Sequence, residues 1–209
     1  MTADKVKTGT TCIGLLFKDG VMLAADRRVT TYKIESDMFT KIFDVSDNTV
    51  ATIAGHASPA QLFMRHLKSE IKLLELKKER KARVSEIAAL LNSFQLGASS
   101  SGMVVASILG GFDEKNGAAL YDMSPDGTIG TVEPYLTDGS GSPYVIGLLG
   151  TEFKKDMTEK EALELVEKCY KASFKNDNAS GGGYIVRIVT KDGIKEIERK
   201  VVKTELVNE

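Results

Sequence analysis

The tripeptide Gly9-Thr10-Thr11 stands directly before the first apolar run of the chain. Taken alone, a Gly-Thr-Thr strand entry is a common structural feature, but it permits one unusual chemistry. Cleavage after Gly9 would place a hydroxyl nucleophile and a free α-amino group on the same residue, Thr10. An α-amine has an ordinary pKa of about 8, close to the pH at which a general base must work. Such a base matters because the chain has only two histidines, His56 and His66, which leaves Ser-His-Asp or Cys-His schemes little to draw on.

A threonine hydroxyl also needs activation, and a nearby fixed cation favours its oxyanion. Asp26, in Ala24-Ala25-Asp26-Arg27-Arg28, and Lys41 are candidates for such an acid–base pair, although spacing alone reads each more simply as a surface charge. Two clusters of small residues combine an acid, hydroxyls and glycines that expose backbone: Asp138 to Ser142, with Ser140, and Asp177 to Gly183, with Asp177 and Ser180. Each could equally be only a loop. Gly55, between a strand and a helix, could aim its N–H at a developing oxyanion or could form a plain turn.

These residues must be carried by an ordinary folded chain. Its 209 residues are 42% hydrophobic and 27% charged, which disfavours disordered, collagen-like and coiled-coil classes. A net charge of -1 gives no global drive towards nucleic acid or a membrane surface. Cys12 and Cys169 lie far apart and suggest neither a disulfide framework nor a metal site, and no cofactor is expected. Residues 1–9 lack the apolar stretch of a secretory signal and no run of about 18 apolar residues occurs, so a cytoplasmic location is expected.

Hairpins are predicted for Thr10 to Phe17 with Val21 to Ala25, turned at Lys18-Asp19-Gly20, and for Lys41 to Val45 with Thr49 to Ala54; together they read as one antiparallel sheet. Ser58 is the expected cap of a helix carrying Leu62, Phe63, His66, Leu67, Ile71 and Leu74 on one face. A second helix follows the basic corner Lys77 to Arg83 and is expected to end at Gly97. Strands over residues 102–110, 118–123 and 128–132 imply a second sheet. Thr158 to Glu161 opens a long helix by a capping box, with favourable Glu164–Lys168 and Glu167–Lys171 pairs, and Tyr184 to Thr190 with Ile194 to Val202 forms the last hairpin. The order implies an α+β domain with sheets packed together and helices outside.

The ordered set Gly9-Thr10-Thr11, Ala25-Asp26-Arg27-Arg28, Thr40-Lys41-Ile42, Thr52-Ile53-Ala54-Gly55, Gly139-Ser140-Gly141-Ser142 and Asp177-Asn178-Ala179-Ser180-Gly181 resembles a catalytically competent, archaeal-type proteasome β subunit from Thr10 to about Val202. The resemblance implies the N-terminal nucleophile hydrolase fold, an α-β-β-α sandwich of two antiparallel sheets. It implies that residues 1–9 are a propeptide removed by autocatalytic cleavage between Gly9 and Thr10, leaving residues 10–209 as a single peptidase domain. Thr10 would be the nucleophile, with Lys41 lowering the pKa of its hydroxyl and Asp26 orienting Lys41. Ser140, Asp177 and Ser180 would surround the amine and hydroxyl, and the Gly55 N–H would supply the oxyanion hole.

By the same resemblance, backbone groups of Thr30 and Ala57 would hold the substrate as an added strand. Val29, Phe39, Ile53, Ala57 and Gln61 would line a mainly apolar first specificity pocket, so cleavage chiefly after hydrophobic residues is expected. The implied assembly is homo-heptameric β rings stacked in pairs, capped by α-subunit rings, with an ATPase regulator feeding unfolded proteins and no nucleic acid or membrane partner. The segment between Asp26 and Lys41 is one residue shorter than is usual in the family, and Asn178 stands where many relatives carry Ser. A non-catalytic structural β-ring subunit and a bacterial-type ring threonine peptidase are the alternative readings.

Overall fold

The computed structural model describes residues 9–30, 33–55, 57–100, 102, 104–131 and 134–199, with backbone alone for 57–61 and 131. The expected segments 1–8 and 200–202 lie outside the described residues. In chain order the elements are β1 (Cys12–Phe17), β2 (Gly20–Asp26), β3 (Val29–Thr30), β4 (Ile34–Ser36), β5 (Ile42–Ser46), β6 (Thr49–Thr52), β7 (Ala54–Gly55), α1 (Ala57–Lys78), α2 (Val84–Ser100), β8 (Val105–Asp113), β9 (Gly117–Met123), β10 (Ile129–Thr131), β11 (Tyr135–Asp138), α3 (Ser142–Glu152), α4 (Glu159–Asn176), β12 (Tyr184–Thr190) and β13 (Gly193–Arg199).

One large sheet has the order β11-β1-β2-β12-β13 and a second has β10-β9-β8-β6-β5, with β7 also paired to β8, while β3 and β4 form a separate two-stranded sheet. All these pairings are antiparallel. Side chains alternate between the faces of a strand, and here both faces are covered. Ile13, Leu15, Met22, Ala24, Val186 and Ile188 pack with α3 and α4 residues such as Val145, Leu149, Leu165 and Val166. The intervening Cys12, Val21, Leu23, Ala25, Ile185 and Val189 meet Ile42, Val50, Ile108 and Leu120 of the second sheet. That sheet turns Val45, Ala51, Leu109 and Met123 towards Met64, Leu67, Ile87 and Leu91 of α1 and α2. The result is the four-layer α-β-β-α sandwich.

Several local expectations are corrected. The two N-terminal hairpins do not share a sheet: β1–β2 joins β12, whereas β5–β6 joins β8. In the first hairpin the turn is the pair Lys18-Asp19, with Gly20 already opposite Phe17. Gly20 is not among the glycines with positive φ. A Cβ on it would lie 2.2 Å from the Val189 carbonyl oxygen, so close strand approach is what requires glycine there. On α1, the expected Leu67 and Ile71 are buried, but Leu62 and His66 are exposed and Met64 takes their place in the stripe, because 64, 67, 71 is the i, i+3, i+7 row centred on the sheet. The helix begins at Ala57, one residue before the expected cap Ser58.

Helix α2 runs through Gly97 to Ser100, since a single helical glycine costs only about 1 kcal/mol. The left-handed stop falls at Gly102, φ 78°, whose N–H donates to Ser99 O. The capping box of α4 forms as expected, with Thr158 and Glu161 exchanging both hydrogen bonds. Glu167 pairs with Lys171, while Lys168 reaches across to Glu152 of α3 rather than to Glu164. Strands β3, β4 and β11 were not expected; each is four residues or fewer, too short to display a period. No helix among the described residues is long and apolar enough to cross a membrane.

Candidate active site

The division of the hairpins between sheets is what builds the site. Strand β1 carries Thr10 at its entrance and β2 ends at Asp26. Lys41 lies just before β5 in the opposite sheet, so its side chain reaches across the sandwich. Lys41 Nζ donates to Asp26 Oδ1 at 2.8 Å, to Thr10 Oγ1 at 3.0 Å and to Gly9 O at 2.8 Å. An ammonium has three protons, and all three are directed by these acceptors. Thr10 Oγ1 itself donates to Gly9 O at 2.6 Å.

Asp26 is fully buried and its two oxygens accept four bonds: Oδ1 from Lys41 Nζ and Thr11 N, Oδ2 from Arg28 N and Gly181 N. Burial pushes the Asp26 carboxyl up, against the opposing effect of the Lys41 ammonium and the N–H groups of Thr11 and Gly181. Among the ion pairs of the described residues this one is the most deeply enclosed, with side-chain exposures of 5% for Lys41 and 0% for Asp26.

The two loops read as acid, hydroxyl and glycine clusters converge on Thr10 from the other side. Thr10 N donates to Ser140 Oγ at 3.1 Å, and Ser140 Oγ donates to Asp177 Oδ2 at 2.7 Å. Ser180 Oγ donates to that same oxygen at 2.7 Å. Asp177 and Ser180 therefore reach the Thr10 nitrogen through Ser140 rather than by direct contact. Glycine is needed where these loops press on Thr10: a Cβ on Gly139, whose φ is 92°, would lie 2.2 Å from Thr10 O.

Gly9, Thr10, Val29, Phe39, Lys41, Ile53 and Gly55 line one recess. Gly55 takes φ 119°, and a Cβ there would meet Val104 O at 2.3 Å, so the backbone conformation and the neighbouring strand both demand glycine. Val29, Phe39 and Ile53 thus stand together beside Thr10. Thr30 is turned away, its hydroxyl donating to Ala179 O at 3.2 Å. The side chains of Ala57 and Gln61 lie outside the described residues. Among the described residues no group of three or more His, Cys, Asp or Glu side chains is placed to hold a metal ion.

Sequence reasoning passed over several residues that complete this site. Thr11 Oγ1 lies 2.7 Å from Ser180 Oγ and 2.6 Å from Ser173 Oγ, and Tyr170 donates its hydroxyl to Thr11 O at 2.9 Å. Arg28 donates Nε to Asp37 Oδ1 at 2.7 Å and Nη1 to the carbonyls of Asn178 and Ser180, tying the Asp177 loop to the segment before Phe39. The one available signal was polarity on an apolar face, since Ser173 continues the stripe Val166, Cys169, Tyr170 of α4.

Comparison with known proteins places this geometry in a family. The family model described as "Proteasome subunit" matches residues 6–189. A "Proteasome subunit beta 1" of Pyrobaculum aerophilum is 39% identical over 193 residues, covering 90% of this chain and 94% of its own. A "Proteasome subunit beta" of Methanobrevibacter smithii is 34% identical over 201 residues, covering 95% and 96%, and one of Archaeoglobus profundus is 36% identical over 202 residues, covering 95% and 93%. A match across nearly the whole of both chains, joined to the four-layer sandwich, makes this chain a member of the proteasome family, among its β subunits.

Proposed function

We propose that the chain is a threonine-type endopeptidase subunit of the proteasome core particle, with Thr10 as nucleophile. The observation that carries this reading is Lys41 Nζ, held 2.8 Å from Asp26 and 3.0 Å from Thr10 Oγ1 inside a nearly closed site. A cation there stabilises the oxyanion that the threonine hydroxyl must form, and in a water-poor site it acts far more strongly than in solution.

The same cation serves the precursor. Lys41 touches both Thr10 Oγ1 and the Gly9 carbonyl oxygen, so it polarises the bond to be broken while favouring the attacking oxygen. Attack of Thr10 Oγ1 on the Gly9 carbonyl carbon transfers residues 1–9 from the Thr10 nitrogen to its oxygen. Water then hydrolyses the ester and leaves a free amine on Thr10, hydrogen-bonded to Ser140. In the mature chain this amine takes the proton of the Thr10 hydroxyl as the oxygen attacks a peptide carbonyl. The Gly55 N–H stabilises the tetrahedral oxyanion, the amine returns the proton to the departing peptide nitrogen, and water releases the acyl group from Thr10.

Substrate extends along the backbones of Thr30 and Ala57 as an added strand. The apolar recess of Val29, Phe39 and Ile53 favours cleavage after hydrophobic residues. Such a subunit works within paired heptameric β rings capped by α rings, in the cytoplasm, on unfolded chains delivered by an ATPase. The test is intact-mass and N-terminal analysis of active particles together with Thr10→Ala. Active chains should begin at Thr10, and Thr10→Ala should retain residues 1–9 and lack peptidase activity. Active, assembled particles that keep residues 1–9 would overturn the reading, and release from peptides ending in Arg faster than from those ending in Leu or Tyr would overturn the specificity.

A further inference from the structure

The Thr11 hydroxyl is fully buried and has no part in the chemistry just described. Its surroundings nevertheless determine which way every proton around Asp177 points. A carboxylate oxygen only accepts, so Ser140 Oγ and Ser180 Oγ, each 2.7 Å from Asp177 Oδ2, both direct their single protons to it. Ser180 is then left to accept, and the proton between Ser180 and Thr11, 2.7 Å apart, belongs to Thr11. Thr11 in turn is left to accept, so the proton in the 2.6 Å contact with Ser173 comes from Ser173. Ser140, whose proton is also committed, accepts from Thr10 N. Two chains of fixed direction therefore meet on one carboxylate oxygen, Ser173 to Thr11 to Ser180 to Asp177 and Thr10 N to Ser140 to Asp177.

We infer that Thr11 and Ser173 are positioning residues of the peptidase site: their hydroxyls fix the orientation of Ser180 and the placement of Asp177, and through Ser140 they hold the nitrogen of Thr10. The inference rests on the reading of Thr10 as nucleophile. It draws independent support from the packing around Thr11. The Thr11 backbone is anchored at both ends, N–H to Asp26 Oδ1 at 3.0 Å and carbonyl to the Tyr170 hydroxyl at 2.9 Å, so its side chain is a rigid post between β1, α4 and the Asp177 loop. The hydroxyl pair also fills the space beside Gly141: a Cβ there would lie 1.9 Å from Thr11 Oγ1 and 2.7 Å from Ser173 Oγ. Gly141 N donates to Thr10 O at 3.1 Å, so the segment that bears Ser140 is seated against this pair and against Thr10 at once.

Thr11→Val keeps the shape of the side chain and removes only the proton relay. Ser180 then loses its donor and Ser173 its acceptor, and the Thr10 nitrogen is less firmly held, while the substrate recess on the far side of Thr10 is untouched. In assembled particles, Thr11→Val should lower kcat about five- to tenfold with KM within about twofold of the parent, as expected for loss of hydrogen bonds that act on the reacting group rather than on binding. Thr11→Ser, which restores the hydroxyl, should return kcat to within about twofold, and Ser173→Ala should lower kcat about threefold, again at constant KM.

Parental kcat in Thr11→Val, or a Thr11→Ser protein as slow as Thr11→Val, would overturn the inference. Should Thr11→Val fail to assemble, Ser173→Ala decides alone, and parental kcat there overturns it. Thr10→Ala separates the two levels of the argument. Activity in Thr10→Ala sinks the nucleophile itself, whereas an inactive Thr10→Ala beside a fully active Thr11→Val sinks only the role of Thr11 and Ser173.

Discussion

Two clusters of cations and carboxylates sit at opposite ends of β8. Beside its first residue, Val105, lies Gly55, and next to it the buried Lys41–Asp26 pair. Beside its last, Asp113, begins α2, where Glu86 collects Lys78 at 2.5 Å, Arg80 at 2.7 Å and the Arg83 N–H at 2.9 Å. The ions are alike and the distances are alike, but the side chains of Lys78 and Arg80 are 40% and 37% exposed against 5% for Lys41. Water can replace either partner at the Glu86 end, so each pair there contributes little to stability. At the Asp26 end desolvation costs several kcal/mol per ion. The fold sustains the burial because Asp26 receives four donors and Lys41 three acceptors. One cluster adds a little stability, and the other holds a charge beside Thr10 at the expense of stability.

The sharpest way to break this contrast is to remove one partner at each end. Lys41→Ala leaves a buried carboxylate alone and should lower stability by about 3–5 kcal/mol, whereas Glu86→Gln should cost no more than about 1 kcal/mol. Denaturant midpoints measure both. Lys41→Ala should also reduce peptide hydrolysis at least about a thousandfold and leave residues 1–9 attached, read by fluorogenic peptides and intact mass. If the two variants lose similar stability and Lys41→Ala still cleaves, the two ends do not differ in kind.

Glycines give a second, smaller contrast along the same axis. Gly55→Ala forces a side chain into φ 119° and to within 2.3 Å of Val104 O, so it should cost about 1–3 kcal/mol and impair hydrolysis. Gly97→Ala, in helix α2 with no atom of the described residues beyond its own helix backbone and chain neighbours within 4 Å of the added Cβ, should stabilise by about 0.5–1 kcal/mol with activity unchanged. A scan of thermal midpoints distinguishes the signs.

How far the sequence foretold this arrangement depended on range. The β12–β13 hairpin and the capping box at Thr158 were legible because their signals are local, a turn between apolar runs and two residues three apart. The partition of β1–β2 and β5–β6 between sheets was not, since a hairpin's own residues say nothing about which distant strand it joins. Asp26 and Lys41 stand as candidates on residue type, but their roles come from the resemblance, and spacing alone leaves them on the surface; the long-range pairings of β2 with β12 and of β6 with β8 bury them. Thr11 and Ser173 stayed hidden for the same reason, 162 residues apart and joined by a contact that no periodicity announces.

Enclosure should also silence the thiols. Burial pushes Cys169 up to about 12 and Cys12 higher still, the latter reinforced by Asp138. Only a thiolate reacts readily with an alkylating agent. At pH 8 the folded protein should take up no label on the time scale on which the denatured chain labels both cysteines, as counted by mass. Rapid labelling of Cys12 would mean that the Asp26 end opens to water.

The smallest effect concerns the pH dependence of the exposed cluster. Hydrogen bonds from Arg80 and Lys78 and from the Arg83 N–H hold the Glu86 carboxyl well below its ordinary value. A carboxyl whose pKa is depressed on folding binds its proton more weakly in the native state, so the stability it confers is complete above the ordinary value of about 4.3 and fades as pH falls below it. The difference between the parent and Glu86→Gln should therefore be flat from about pH 8 to 5, at no more than about 1 kcal/mol, and should shrink as pH falls towards 3. It should shrink also at pH 7 when salt is raised from about 0.1 to 1 M, since the screening length falls from about 10 to 3 Å. Salt should leave the Lys41→Ala deficit almost unchanged, because no counterion reaches a pair enclosed between the sheets. If instead salt relieves both deficits equally, solvent reaches Lys41 as freely as Glu86, and the low-dielectric setting on which Thr10 depends is absent.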